Sequence, residues 1–200
     1  VANFINASAE EIIFTSGTTE GCNIVALGLE STLTAQDRVV TVLSEHSSNI
    51  LPVFHLVQQV GCELAYLETD ENGRILVEKI EEAITTNTKF VAINHVSNVL
   101  GYVNPIKAIV QRAHQVGALV LVDGAQAAPH FELNVQELDC DFYAFSAHKM
   151  CGPNGVGVLY GKYQQLEKLS PVLMGGGANS RFYKDGSVTF SKIPDRFEPG

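Results

Sequence analysis

No stretch of this sequence approaches the roughly eighteen apolar residues needed to span a membrane, and no charged-then-apolar signal segment opens it. Positive charge is scarce: 13 Lys and Arg stand against 22 Asp and Glu, a net charge of −9. That balance argues against nucleic acid or an anionic membrane as the main partner. Close cysteine pairs are missing too. Cys22, Cys62, Cys140 and Cys151 have no spacing of the metal-binding kind. No metal is expected, and without a secretory signal the thiols read as reduced, in a cytoplasmic setting. No repeat, linker or low-complexity tract divides the 200 residues, which are 46% hydrophobic and 18% charged. That is enough for one sizeable core. The chain opens on Val1 without a methionine and stops in the turn Phe197-Glu198-Pro199-Gly200, so a fragment of a longer polypeptide is expected.

What is present is an alternation of strands and helices. Val1 to Ala7 reads as a helix tail, and Ile12-Ile13-Phe14-Thr15 as a strand ending in Ser16-Gly17-Thr18-Thr19-Glu20-Gly21. From Thr19 the apolar spacing of Cys22, Ile24, Val25, Ala26, Leu27 and Leu29 predicts a helix buried on more than one side. Arg38 to Leu43 predicts a strand closed by Ser44-Glu45-His46-Ser47-Ser48-Asn49. A helix follows from about Ile50 to Val60, with Pro52 in its first turn, and Gly61 ends it. Glu63 to Leu67 and Lys89 to Asn94 read as strands. Val77 to Ile84 and Pro105 to Gln115 read as helices, and His95 to Tyr102 as a loop. Ala118 to Val122 is a fully apolar strand of the parallel, doubly covered type. Val156 to Tyr160 predicts a strand and Tyr163 to Leu169 a short helix. The polar stretch from Gly175 to Gly186 reads as loop. The expected fold class is α/β, a mostly parallel sheet with helices on both faces.

Polar residues collect where these strands end. Asp141-Phe142-Tyr143-Ala144-Phe145 runs into Ser146-Ala147-His148-Lys149, followed by Gly152, Pro153, Gly155 and Gly157. An amine at the carboxyl end of a buried strand is a candidate nucleophile toward a carbonyl, although an isolated lysine there is more often a snorkelling one. Asp123 directly follows five apolar residues, a costly place for an acid unless a cation meets it. The Gly-Thr-Thr turn leaves free N–H groups at a helix start, a ready anion site, although Thr18 or Thr19 could simply cap the helix. His46 could lie against a flat ligand or merely cap. One ligand explains Thr18, Thr19, His46, Asn98, Asp123, Gln126, Ser146, His148 and Lys149 together. Pyridoxal phosphate needs a lysine for its aldehyde and an acid for its pyridine nitrogen. It also needs a donor for the ring oxygen, a flat group for the ring face and a cradle for the phosphate.

The runs Thr15 to Glu20, Glu45 to Asn49, His95 to Gly101, Val122 to Gln126, and Phe145 to Lys149 with Gly152 to Gly157 follow the order seen in one family. The sequence resembles the class V aminotransferase-like branch of fold type I pyridoxal-phosphate enzymes. Within that branch it is similar to the SufS and CsdA group of cysteine desulfurases, which include selenocysteine lyases. The resemblance implies a large cofactor-binding domain over residues 1–200, with Lys149, His46 and Asp123 catalytic. Asp123 would pair with the pyridine nitrogen, Gln126 with the ring oxygen, His46 with the ring face, and Asn98 with the substrate side. Thr18, Thr19, Ser146 and His148 would hold the phosphate. It further implies L-cysteine or selenocysteine as substrate, alanine and an enzyme-bound persulfide as products, a homodimer, a sulfur-acceptor protein and a place in iron–sulfur cluster assembly.

The same resemblance places the sulfur-accepting cysteine and a substrate-binding arginine in a C-terminal domain, so the chain alone is expected to give no desulfurase turnover. Ala147, Met150-Cys151, Tyr102, Ala178-Asn179-Ser180 and Pro199 depart from the family's usual residues. Tyr102 is expected to narrow the substrate side, and Cys151 to be a packed thiol. The other readings are an aminotransferase or another class V lyase, a dinucleotide-binding domain, and a non-catalytic interaction module. The second lacks the G-x-G-x-x-G spacing, and intact Lys149, Asp123 and His46 speak against the third.

Overall fold

Seven of the apolar runs hydrogen-bond into one sheet in the computed structural model, which describes residues 1–200. The strands are β1 (Ile12–Thr15), β2 (Arg38–Thr41), β3 (Glu63–Tyr66), β4 (Thr88–Asn94), β5 (Leu119–Asp123), β6 (Phe142–Ser146) and β7 (Gly157–Gly161). They lie in the order β1-β7-β6-β5-β4-β2-β3. β7 is antiparallel to both neighbours, and every other pairing is parallel. The helices are α1 (Ala2–Ile5), α2 (Thr18–Gly28), α3 (Ser47–Val60), α4 (Ile80–Ala83), α5 (Ile106–Gln115), α6 (Val135–Leu138) and α7 (Tyr163–Leu166).

Alternation along the central strands makes two cores. Val91, Ile93, Val120 and Val122 face one side and pack with Ile106, Ile109, Val110 and Ala113 of α5. Phe90, Ala92 and Leu121 face the other, with Cys22, Val25 and Ala26 of α2 and Val53 and Leu56 of α3. Helices on both faces are why these strands read as unbroken apolar runs. Each fully buried aliphatic side chain contributes roughly 1.5–3 kcal/mol. The sheet is therefore a stiff frame whose parallel strands all end on one rim.

Local differences from the expected elements have local causes. α3 begins at Ser47 rather than Ile50 because His46 caps it, and this places the buried Pro52 inside the helix instead of in its first turn. The expected helix over Val77 to Ile84 is a 3-10 turn, Val77–Lys79, followed by the single turn of α4, which spans only the gap between buried Ile80 and Ile84. The polar stretch near Gly186 contains a hairpin rather than only loop: β8 (Asn179–Phe182) pairs antiparallel with β9 (Val188–Phe190). Asp185-Gly186 makes its turn, with Gly186 at φ +85.

Backbone meets backbone closely between β7 and the turn before α2. A Cβ on Gly157 would lie 2.3 Å from the Cα of Gly17 and 2.7 Å from its N and C. Gly157→Ala is therefore expected to cost about 1–3 kcal/mol or more, read by urea denaturation. Gly176→Ala, where nothing lies within 4 Å, is the control. Equal midpoints for the two variants would contradict this contact.

Candidate active site

Asp123 ends β5 and is 4% exposed. The register puts it beside Asn94 of β4 and Ala144 of β6, and its carbonyl accepts the His95 N–H at 2.8 Å. Its Oδ1 accepts the Ala125 N–H at 2.9 Å, and no group of the chain bonds Oδ2. Burial pushes this carboxyl above the ordinary range, opposed by the Ala125 N–H and by the nearby charges of Lys149 and His46. No ion pair reaches it within 4 Å. A buried carboxylate with a free oxygen gains from a cation brought in by a ligand.

The turn before α2 supplies the complementary charge. The Thr18 N–H donates to Ser146 Oγ at 2.7 Å, and the two hydroxyls are also 2.7 Å apart. Ser146 is thus joined to the helix start across the sheet rim. Gly17 precedes the helix and no side chain caps it. The N–H groups of Thr19 and Glu20 meet no acceptor in the chain, while the Glu20 carboxylate accepts the Ser16 N–H at 2.5 Å, so this 11-residue helix keeps free donors at its start beside one carboxylate.

A second hydroxyl chain runs from here to the imidazole. Thr19 Oγ1 donates to Ser48 Oγ at 2.8 Å, and Ser48 Oγ lies 3.0 Å from His46 Nδ1. His46 Nδ1 also accepts the Ser48 N–H at 3.1 Å. An N–H can only donate, so Nδ1 is the acceptor and the neutral ring carries its proton on Nε2. The hydrogen bonds that cap α3 also orient the His46 ring.

Lys149 lies in the 3-10 turn Ala147–Met150 that follows β6. The turn is tied by Ala147 N–H to the Val156 carbonyl at 2.9 Å and by Gly152 N–H to the Ala147 carbonyl at 2.8 Å. The Lys149 amine has no salt bridge or hydrogen bond, so its backbone is fixed while its nucleophile is free. It lines a cleft of about 860 Å³ together with His130, Phe131, Met150 and Cys151. Asn98 and Gln126 line a neighbouring cleft of about 350 Å³ with Ser97 and Gly101, and His130 and Phe131 form a wall common to both.

Some expected residues stand apart. His148 is exposed and hydrogen-bonds to nothing in the site. Cys151 is exposed rather than packed, because its left-handed φ of 63 at the end of the turn carries the side chain outward. Tyr102 lies under Arg74, whose guanidinium carbon is 4.4 Å from the ring centre, and lines a different cleft with Arg74 and Val103. It does not line the cleft of Asn98 and Gln126.

Three residues escaped the sequence reading. Ser48 links Thr19 to His46. His95 Nδ1 lies 2.9 Å from the Tyr143 hydroxyl, and burial holds its pKa down at about 4, so the ring is neutral. The half-buried Glu45 carboxyl accepts from Asn49 Nδ2 and from the backbone N–H of Asn94.

The aminotransferase class-V family matches residues 1–200, and the chain belongs to that family. A probable cysteine desulfurase of Halalkalibacterium halodurans is 48% identical over 202 residues, covering 100% of this chain and 50% of that protein. The chain thus spans about half the length of the curated relatives it matches. The structure resembles the cysteine desulfurase CsdA from Escherichia coli, with a TM-score of 0.95 and 38% identity over 100% of this chain and 50% of that one. It also resembles C-DES, in a mutant with glycine covalently linked to its pyridoxal-phosphate cofactor. There the TM-score is 0.84 and the identity 26%, over 100% of this chain and 53% of that one.

Proposed function

We propose that residues 1–200 form the pyridoxal-phosphate-binding large domain of a cysteine desulfurase, with Lys149, Asp123 and His46 as its catalytic residues. The observation that carries this reading is the free, buried oxygen of Asp123, on the same rim as the unengaged Lys149 amine and the open end of α2. These residues fit the cofactor group by group. Asp123 Oδ2 suits a protonated pyridine nitrogen. Thr18, Thr19 and Ser146, with the N–H groups of Thr19 and Glu20, suit a phosphate. When bound, pyridoxal phosphate supplies an electron sink for bonds breaking at the substrate's α-carbon. Lys149 would present its amine to the cofactor's carbonyl and would move protons. His46, oriented by Ser48, covers one ring face. Gln126 and Asn98 serve the ring oxygen and the substrate side.

The class, the relatives named cysteine desulfurase and the C-DES cofactor complex support the reading. In the reaction proposed, L-cysteine and an enzyme thiol give alanine and an enzyme persulfide. A homodimer, a sulfur-acceptor protein, a cytoplasmic setting and a role in iron–sulfur cluster assembly belong to the same proposal. No helix is long and apolar enough to cross a membrane.

Three of the four thiols within the chain are poorly suited to take the sulfur, and the fourth, Cys151, is exposed beside Lys149. Cys22, Cys62 and Cys140 are buried, and burial pushes the Cys22 and Cys140 thiols well up. The chain mixed with pyridoxal phosphate and L-cysteine is therefore expected to gain a visible absorption band. It should release no more alanine than free cofactor does. Absence of the band overturns the cofactor assignment. Steady alanine release that Cys151→Ser removes would place the sulfur acceptor within these residues.

A further inference from the structure

Glu45 directly precedes His46, and its carboxyl is held from two sides. One oxygen accepts the backbone N–H of Asn94, the residue in register with Asp123. The other accepts Asn49 Nδ2 at 3.0 Å, in the first turn of α3. The neighbouring amides extend this clamp. Asn94 Nδ2 donates to the Ser44 carbonyl at 2.9 Å, and Asn104 Nδ2 donates to the Asn94 carbonyl at 2.9 Å. The His46 turn is therefore anchored on the end of β4, the strand beside Asp123. No other hydrogen bond joins Glu45's two partners, although α3 and β4 also pack together through Val53, Phe90 and Ala92.

We propose that Glu45 is a positioning residue of this site, its carboxyl bridging the turn that carries His46 to the strand end that sits beside Asp123. The bridge sets the separation between the imidazole that covers a bound ring and the carboxylate that meets its edge, an assignment that rests on the cofactor reading above. Burial and the neighbouring Asp123 favour the neutral acid of Glu45, opposed by the donors Asn49, Asn94 and the His46 backbone. The carboxyl faces Asp123 of β5 and lies near Cys22 of α2, while His46 and Lys149 bear on Asp123 from their own turns and His95 follows Asn94. A second carboxylate there would stand unpaired beside the first. Burial first, and Asp123 second, raise its pKa from 4.5 to about 8.

The sign of the pH dependence follows. Between pH 4.5 and about 8 the folded chain keeps a proton that the unfolded chain has released. Glu45 therefore makes folding stability fall as pH rises through that window. Glu45→Gln keeps an acceptor for the Asn94 N–H and cannot ionise, while Glu45→Ala leaves that buried N–H without a partner.

The test compares these two variants with the unaltered chain. In ¹⁵N-histidine-labelled protein, the His46 resonances are expected to shift in a step centred near pH 8. Glu45→Gln should abolish the step and flatten the stability slope. Glu45→Ala should weaken pyridoxal phosphate binding by about tenfold or more, and Glu45→Gln should restore most of that loss. Should Glu45→Ala not fold, the Glu45→Gln titration decides alone. A step that persists in Glu45→Gln, no step in the unaltered chain, or full cofactor affinity in a folded Glu45→Ala overturns the proposal. If the unaltered chain binds no cofactor, the functional reading fails, and the His46 titration still decides this one.

Discussion

Lys149→Ala is expected to leave the fold intact and to eliminate covalent retention of pyridoxal phosphate. The side chain makes no salt bridge or hydrogen bond and belongs to neither core. Its removal should cost no more than about 0.5–1 kcal/mol of stability. Function is another matter. In the function proposed above, this amine engages the cofactor's carbonyl and returns protons to the substrate. Exchange of the α-hydrogen of L-alanine in D₂O, followed by NMR, reads this chemistry without requiring a sulfur acceptor. A loss of at least about 10³-fold is expected, the scale seen when a covalent catalytic residue is removed. Exchange at the level of the unaltered chain would show that Lys149 is not the working amine.

The second large effect is expected from Asp123→Asn. The substitution preserves size and leaves the Ala125 N–H an oxygen to bond, so β5 and its register should survive. What disappears is the negative charge. A neutral amide at this position could not hold a proton on the cofactor's ring nitrogen, so the electron sink weakens even with the cofactor bound. The same exchange should fall by at least about 10²-fold, as for other preorganised electrostatic groups. Asp139→Asn is the control. Asp139 is exposed, pairs with Lys162 at 2.5 Å and precedes the amino-terminal end of β6, opposite the rim. Near-normal exchange in Asp123→Asn would remove Asp123 from the role given to it.

Much of this site was legible because burial could be inferred from the strands themselves. Five apolar residues before Asp123 announce that the acid is desolvated, and the apolar run before Ser146 places Lys149 at a strand end. Glu45 follows Val39 to Leu43, a run broken by Thr41 and separated from it by Ser44, so the same argument was weaker there. Its burial also depends on α3 starting at Ser47 and bringing Asn49 over the carboxyl, which the sequence reading missed by starting that helix at Ile50. Ser48 was obscured for the same reason. The β8–β9 hairpin was lost in a polar stretch although Asp185-Gly186 is a strong turn signal. Its strands are largely exposed and show no apolar face to read. Tyr102 lies against Arg74, a partner remote in sequence, which the local pattern around Tyr102 does not show. Cys151 was misread because its left-handed backbone carries no side-chain signature.

The central claim, that Lys149 is the residue that engages the cofactor, can be tested directly by reducing the chain with borohydride in the presence of pyridoxal phosphate and mapping the added mass by peptide mass spectrometry. The account predicts one modified peptide carrying the pyridoxyl group on Lys149. A modification confined to Lys162 or another lysine, or spread evenly over several, would contradict it.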